Sequence, residues 1–181
     1  MLGVPNLEVR SALSQLLLTE ATPSDKANFY QAQISDTILS GNSAILRDTV
    51  TAFLASIPHD WHRRNNIAKF EGYWSTVIYT LFAGLGYDVI PEDTTNKGRI
   101  DMTVKTKQGI WIFEFKVKGQ DTSSCASPLA QLRERGYALK YAGSVDADSK
   151  TIPVREVGIV FDPATRNIER WEMGECIVNM K

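Results

Sequence analysis

Between Ile110 and Val117 the chain reads Ile-Trp-Ile-Phe-Glu-Phe-Lys-Val, an apolar run interrupted by one acid and one base. Its density of β-branched and aromatic side chains, and its shortness, predict a buried strand rather than a helix. Successive strand side chains point to opposite faces, so Ile112, Glu114 and Lys116 share one face, and Trp111, Phe113, Phe115 and Val117 share the other. A carboxylate and an ammonium then project side by side from the middle of a sheet. Unpaired buried charge is expensive, so such a strand requires a compensating group: a metal ion, a phosphate or an ion pair.

The chain has 181 residues, 43% hydrophobic and 23% charged, which is enough for one good-sized core and close to ordinary globular usage. A folded, soluble protein is expected. No apolar stretch approaches the roughly 20 residues of a membrane helix, and no basic-then-apolar segment precedes a small-residue cleavage site. Cys125 and Cys176 are the only cysteines; without a CxxC or a Cys/His cluster they support neither a disulfide framework nor a structural zinc site, and a reducing cytoplasm is the expected compartment. The net charge of −1 conceals an uneven distribution. From Lys97 to Lys140 nine basic residues face four acidic ones, a local balance of +5 in a chain whose remainder totals −6. A positive field around the unusual strand is what a site for a polyanion needs.

The first 60 residues are helical and comparatively bare of chemistry. Leu7, Val9, Leu13, Leu16 and Leu17 fall near helical spacing, and Thr22-Pro23-Ser24-Asp25 then breaks the pattern and caps a second helix. Ser40-Gly41-Asn42 and Ile57-Pro58-His59-Asp60 bracket a third, with Ile45, Leu46, Val50, Phe53 and Leu54 as its apolar stripe. The opening Met-Leu-Gly-Val-Pro-Asn is expected to be a cut inside a longer protein. From about Ile67 to Leu85, Phe70, Trp74, Val77, Ile78, Leu81, Phe82 and Leu85 recur at the helical period, with Glu71 in the first turn and Gly84 and Gly86 at the end.

Tyr87 to Pro91 reads as a short strand and Asp93 to Gly98 as a turn or mobile loop. Arg99 to Lys107 is a second strand, with Ile100, Met102 and Val104 facing one way and Asp101, Thr103 and Lys105 the other. Gln108-Gly109 turns it into the Ile110 strand, so the two are antiparallel neighbours and Asp101 can approach Glu114. Ser127-Pro128 is an N-cap followed by proline at the first helical position, opening a helix to about Tyr141. Gln131, Arg135 and Ala138 line one of its stripes; Leu129, Leu132, Gly136 and Leu139 line another. Val154 to Phe161 and Asn167 to Met173 form two final strands about Asp162-Pro163-Ala164-Thr165.

Asp101 and Glu114 converging beside Lys116 suit a hard divalent cation, because Mg²⁺ takes oxygen ligands, keeps several waters and often shares its shell with phosphate. The Phe115 carbonyl is positioned to add an oxygen, and Glu71 can complete the shell or hold a second ion through water. Lys116 can orient or deprotonate a water, or stabilise developing charge. A structural ion pair of Lys116 with Asp101 or Glu114 is the competing reading. For nucleic-acid contact the candidates are Arg99, Lys118, Arg135 and Tyr137, within the basic stretch. Trp61-His62-Arg63-Arg64 could also touch a backbone, although Trp61 packed under the sheet is the simpler reading. His59 and His62 lack a third ligand nearby, and Trp111 and Trp171 are assigned to the core.

The order of these pieces resembles the PD-(D/E)XK nuclease superfamily: a helix with Glu71, a strand with Asp101, a strand with Glu114-Phe115-Lys116, and a helix with Gln131. More narrowly, Gly98-Arg99-Ile100-Asp101, Glu-Phe-Lys and the run from Ala130 to Ala138 are similar to the nuclease-like domain found C-terminal to AAA-type ATPase domains in prokaryotic proteins. The resemblance implies an α/β, restriction-endonuclease-like fold with a mixed central β-sheet flanked by helices. Residues 61–181 would form that domain, and residues 1–60 an N-terminal helical extension. It also implies Mg²⁺-dependent cleavage of DNA phosphodiester bonds, with Mn²⁺ able to substitute. Asp101, Glu114 and the Phe115 carbonyl become metal ligands, with Glu71 as the helix acid; Lys116 becomes the catalytic lysine, and Gln131 and Tyr137 accessory residues. Ile100 stands where the superfamily's name has proline.

DNA, an AAA-type ATPase domain or protein, and a second copy of the chain are the partners this reading admits; a membrane is not. No Walker-type loop is present, so any ATPase activity would come from another segment. The alternative is a catalytically silent nucleic-acid-binding or regulatory module of an ATPase-linked protein. Such a module would show DNA affinity that falls steeply with salt and no turnover.

Overall fold

A computed structural model describes residues 24–57, 67–120, 127–146 and 148–176. The helix expected from Leu7 to Leu17 lies outside the described residues, as do His59, Trp61, His62, Arg63, Arg64 and Cys125. Two helices, α1 (Ser24–Ser40) and α2 (Ser43–Ser56), precede a short 3-10 turn at Ile67–Lys69 and helix α3 (Glu71–Gly84). Strands β1 (Asp88–Thr95), β2 (Gly98–Lys105) and β3 (Ile110–Val117) follow, then α4 (Pro128–Arg135), a 3-10 turn at Tyr137–Tyr141, and strands β4 (Val154–Asp162) and β5 (Asn167–Cys176).

The five strands lie side by side in chain order. All neighbours are antiparallel except β3 and β4, which run parallel from Ile110↔Val154 to Val117↔Phe161. A parallel pair needs a long crossover, and α4 with its following turn supplies it. The sheet is therefore mixed and covered on both faces, an α/β architecture of the restriction-endonuclease-like kind.

The main core gathers Tyr30, Ile34 and Ile38 of α1, Leu46, Val50, Phe53 and Leu54 of α2, and Trp74, Ile78, Leu81 and Phe82 of α3 against Met102, Val104, Trp111, Phe113, Phe115, Val117, Val157, Ile159 and Phe161 of the sheet. A smaller cluster on the opposite face joins Ile110, Ile112 and Val154 to Leu132, Tyr137, Ala138 and Tyr141. The odd-numbered residues of β3 face the first cluster and Ile110 and Ile112 the second, as strand alternation predicts. α2 starts where Asn42 Oδ1 accepts from the N–H groups of Ala44 and Ile45, and Trp171 Nε1 donates to Ser43 Oγ at 2.9 Å, tying that end to β5.

Five expectations need correction. β1 does not stop at Pro91 but continues to Thr95, turning at residues 96 and 97 into β2; cross-strand pairing overrides a composition that suits a loop. The helix from Pro128 breaks at Gly136, which takes φ 61 and is followed by the 3-10 turn. Leu139, placed on an apolar stripe, is consequently exposed, and Trp171 is half-buried rather than core. Ile100 packs in the second cluster, away from Met102 and Val104 in the first. Alternation fails where the β2–β3 ladder ends beyond Met102 and where, across on β1, Glu92 takes φ 49.

Candidate active site

The β2–β3 ladder runs from Lys105↔Ile110 to Met102↔Phe113 and ends, while β3 stays paired with β4 to its last residue. Beyond Met102 the Asp101 side chain takes over from the backbone: its Oδ2 accepts the Phe115 N–H at 2.7 Å. That bond pins a carboxylate beside the middle of β3 at the point where the two strands part.

Glu114 points to the α4 side. Its Oε1 accepts a hydrogen bond from Gln131 Nε2 and lies 3.5 Å from Lys116 Nζ. Lys116 Nζ also stands 3.7 Å from Glu71 Oε2 in the first turn of α3. Glu71 is held there because Trp74, three residues on, donates from Nε1 to the Ala68 carbonyl at 2.8 Å and stacks on Phe161 with ring centres 4.6 Å apart. Gln131 reaches Glu114 because α4 lies almost on the sheet: a Cβ on Gly158, the register partner of Glu114, would come within 2.5 Å of the Leu129 nitrogen. Ser127 Oγ accepts the Ala130 N–H and sets the start of that helix.

The electrostatics are unbalanced. Glu114 is 2% exposed and its Oε2 has no hydrogen-bond partner. Burial, and then the charge of Asp101, push the Glu114 carboxyl up to about 8, against the pull of Lys116. Burial likewise lifts Asp101 to about 6, although the Phe115 N–H opposes it. One lysine among three carboxylates leaves the pocket short of positive charge, and it is this shortage, with the unpartnered buried oxygen, that a divalent cation would meet. Among the described residues no three His, Cys, Asp or Glu side chains already form a cation cage. A Mg²⁺ site that draws most of its shell from water and substrate phosphate does not require one.

Five of the residues singled out in the sequence thus converge: Glu71, Asp101, Glu114, Lys116 and Gln131. The four nucleic-acid candidates lie around them with other partners. Arg99 pairs with Glu92 at 3.2 Å, and Arg135 donates to the Lys97 carbonyl at 3.3 Å. Lys118 lies between Asp162 and Glu169, at 3.4 and 2.9 Å. Tyr137 is buried, with its hydroxyl close over Gly98, where a Cβ would meet it at 2.5 Å.

Residues 69–171 match the family model of the PD-(D/E)XK nuclease superfamily. The chain belongs to that superfamily. This PD-(D/E)XK chain is also 40% identical, over 168 residues, to a protein described as an uncharacterized protein in the vnfD 5′ region of Azotobacter chroococcum mcd 1. The match covers 92% of the present chain and 31% of that relative, so the chain spans about a third of the relative's length. No solved structure matches the chain. Among the described residues of this PD-(D/E)XK protein, no helix is long and apolar enough to cross a membrane.

Two features of the site were not legible in the sequence. Gly158 carries no chemistry of its own and matters only through the helix that rests on it. Asp93, assigned to a loop, is a buried strand residue whose carboxylate accepts from Thr103 at 2.9 Å and from Lys140 and Tyr141. The run Pro-Glu-Asp-Thr-Thr gave no apolar signal for either property.

Proposed function

We propose that the chain is a metal-dependent nuclease that hydrolyses phosphodiester bonds of DNA. One observation carries the reading: Glu114 Oε2 is sealed from solvent without a partner, in a cluster with Asp101, Lys116 and Glu71 that holds more acid than base. In this reading Asp101, Glu114 and the Phe115 carbonyl hold Mg²⁺, or Mn²⁺ in its place, with Glu71 at the edge of the shell. The cation, when bound, supplies an acidified water and positive charge for the scissile phosphate. Gln131 keeps Glu114 Oε1 occupied and so leaves Oε2 to turn toward the cation. Lys116, close to both Glu71 and Glu114, brings a mobile positive charge to the phosphate as charge develops. Arg99 and Arg135 bind the flanking backbone as sequence-independent phosphate contacts, while Tyr137 and Lys118 hold the surrounding elements in place.

The test is a Mg²⁺ and Mn²⁺ cleavage assay on supercoiled, linear, single-stranded and branched DNA, with Asp101→Ala and Lys116→Ala as controls. Cleavage that both variants lose supports the reading. Wild-type protein inert on every substrate sinks it.

A second reading is favoured by the length of the relative, of which this chain matches 31%. The chain could be a silent DNA-binding or regulatory module of a larger protein, such as one with an AAA-type ATPase. It predicts binding whose logarithm falls linearly with the logarithm of salt, and no turnover.

A further inference from the structure

Isolated apolar side chains are ordinary on protein surfaces, and among the described residues Phe29, Phe70, Leu139 and Val145 are large and exposed. Phe70 differs from the other three in position. It is the N-cap of α3, a place that favours Ser, Thr, Asp or Asn because their oxygens accept a first-turn N–H, and it makes no side-chain cap bond. The helix forgoes a stabilising bond there while 65% of an aromatic residue faces water. A position that violates two local rules at once marks function more often than packing.

Its neighbours give the function a direction. Lys69, immediately before it, is exposed. Glu71, immediately after it, carries the carboxylate 3.7 Å from Lys116 Nζ. Past that acid the surface is open, since a Cβ on Gly72 would meet nothing within 4 Å. A cation for a phosphate, a flat apolar face and free space are the parts with which proteins hold single strands, whose bases stack on aromatic side chains. A base in an intact duplex already has both faces stacked and offers none to a protein ring. Phe70 directly precedes Glu71, so the exposed ring and the acid project from adjacent residues at the start of α3.

We propose that Phe70 stacks on an unpaired base beside the phosphate that Lys116 and a cation on the acid cluster would hold, so that the site takes single-stranded or frayed DNA in preference to intact duplex. The inference deepens the nuclease reading and rests on it for the position of that phosphate.

The test uses the full chain with Ca²⁺ in place of Mg²⁺, a larger and less acidifying cation that can still bridge the phosphate to the acids, so that binding is read apart from cleavage. The probes are a short single strand containing 2-aminopurine, whose fluorescence is quenched by stacking, and a blunt duplex of the same sequence. Wild type and Phe70→Tyr are expected to quench the probe. Phe70→Ala loses the quench and binds the single strand roughly five- to a hundred-fold more weakly, with little change on the duplex. Phe70→Ser restores a capping oxygen, so it should unfold at a higher temperature than wild type while binding the single strand less well. A residue needed only for packing cannot give that combination.

Unchanged quench and affinity in Phe70→Ala, an equal loss on strand and duplex, or a lower unfolding temperature for Phe70→Ser would each overturn the proposal. Cleavage of the same strands with Mg²⁺ separates it from the reading beneath it. Ring-dependent quench without cleavage removes the hydrolysis and keeps the stacking. Cleavage with no dependence on Phe70 does the reverse.

Discussion

Asp93 and Glu114 are both buried carboxylates of the same sheet, 5% and 2% exposed, and their surroundings push them in opposite directions. Burial acts to raise the Asp93 pKa, but the bonds from Lys140, Tyr141 and Thr103 together outweigh it and hold the group below the ordinary carboxylate range. At Glu114 burial wins, with the Asp101 charge adding to it. Asp93 is closed: its charge is met from within the chain, and it ties β1 and β2 to the turn at Tyr137–Tyr141. Glu114 is open, with one oxygen met and one waiting. The contrast separates a carboxylate that serves the fold from one that, on the proposed reading, is kept for a ligand, a separation that burial alone does not make.

The largest effect that would sharpen this contrast is loss of chemistry without loss of fold. Asp101→Asn, which keeps an oxygen for the Phe115 N–H, and Lys116→Ala should each lower DNA cleavage by at least about 10²-fold while circular dichroism and the urea midpoint stay near wild type. A variant that unfolds would move its residue to Asp93's side of the comparison.

Asp93→Ala should do the opposite. It removes three bonds, one of them from an ammonium that is only partly exposed, and should cost about 2–4 kcal/mol of stability in urea titration. A loss below about 0.5 kcal/mol, the range of an ordinary surface substitution, would mean that the closed cluster is not a brace. The acid limb carries the same signature. Because Asp93 is lowered in the folded state, its contribution is complete above the ordinary carboxylate range and disappears as pH falls through the depressed pKa.

Gly158→Ala probes the link between the fold and the open carboxylate. The new Cβ meets the Leu129 nitrogen at 2.5 Å and the Pro128 Cβ at 3.0 Å, so α4 must lift. An overpacking cost of about 1–3 kcal/mol is expected. Gln131 moves with the helix, so turnover should fall about ten-fold or more. Stability lost with turnover intact would show that the Gln131 bond to Glu114 is dispensable.

The smallest effect is a pH slope. Glu114 and Asp101 are raised in the folded state, so the cation-free protein should be most favoured below the pH where they ionise and lose stability as pH rises toward about 8. In EDTA the unfolding temperature should drop by a few degrees over that range, and Glu114→Gln should flatten the slope. Mg²⁺ binds the ionised pair, so its stabilising effect should grow with pH. A wild-type melting temperature that holds level or climbs over that range in EDTA would erase the distinction between the two carboxylates.

How much of this was legible in the sequence depended on how local the cause was. β3 is a dense apolar run interrupted only by Glu114 and Lys116, and its expected bounds are those observed. Ser127 and Pro128 announce the start of α4 within two residues, and the observed cap bond is the one they predict. Glu71, Asp101, Glu114 and Lys116 could be placed together because each sits at a fixed point on a strand or helix, and Gln131 joined them through the family resemblance. The misreadings have long-range causes. β1 extends because β2 pairs with polar residues, and Asp93 is buried because a turn more than forty residues later covers it. Ile100 changes faces where the ladder to β3 ends and opposite a positive φ at Glu92, neither of which a side-chain pattern reports.

The parallel pairing of β3 with β4 has a further meaning for how such a chain can diverge. Both strands run toward the acid cluster, so Glu114 and Lys116, with their register partners Gly158 and Val160, lie at the forward end. The connection at residues 106–109 and the segment leading to Val154 lie at the rear, where Ile110 pairs with Val154. Rear loops can lengthen, shorten or acquire new sequence with little disturbance of the reacting groups. New segments can therefore be attached at one pole without reaching the acid cluster at the other.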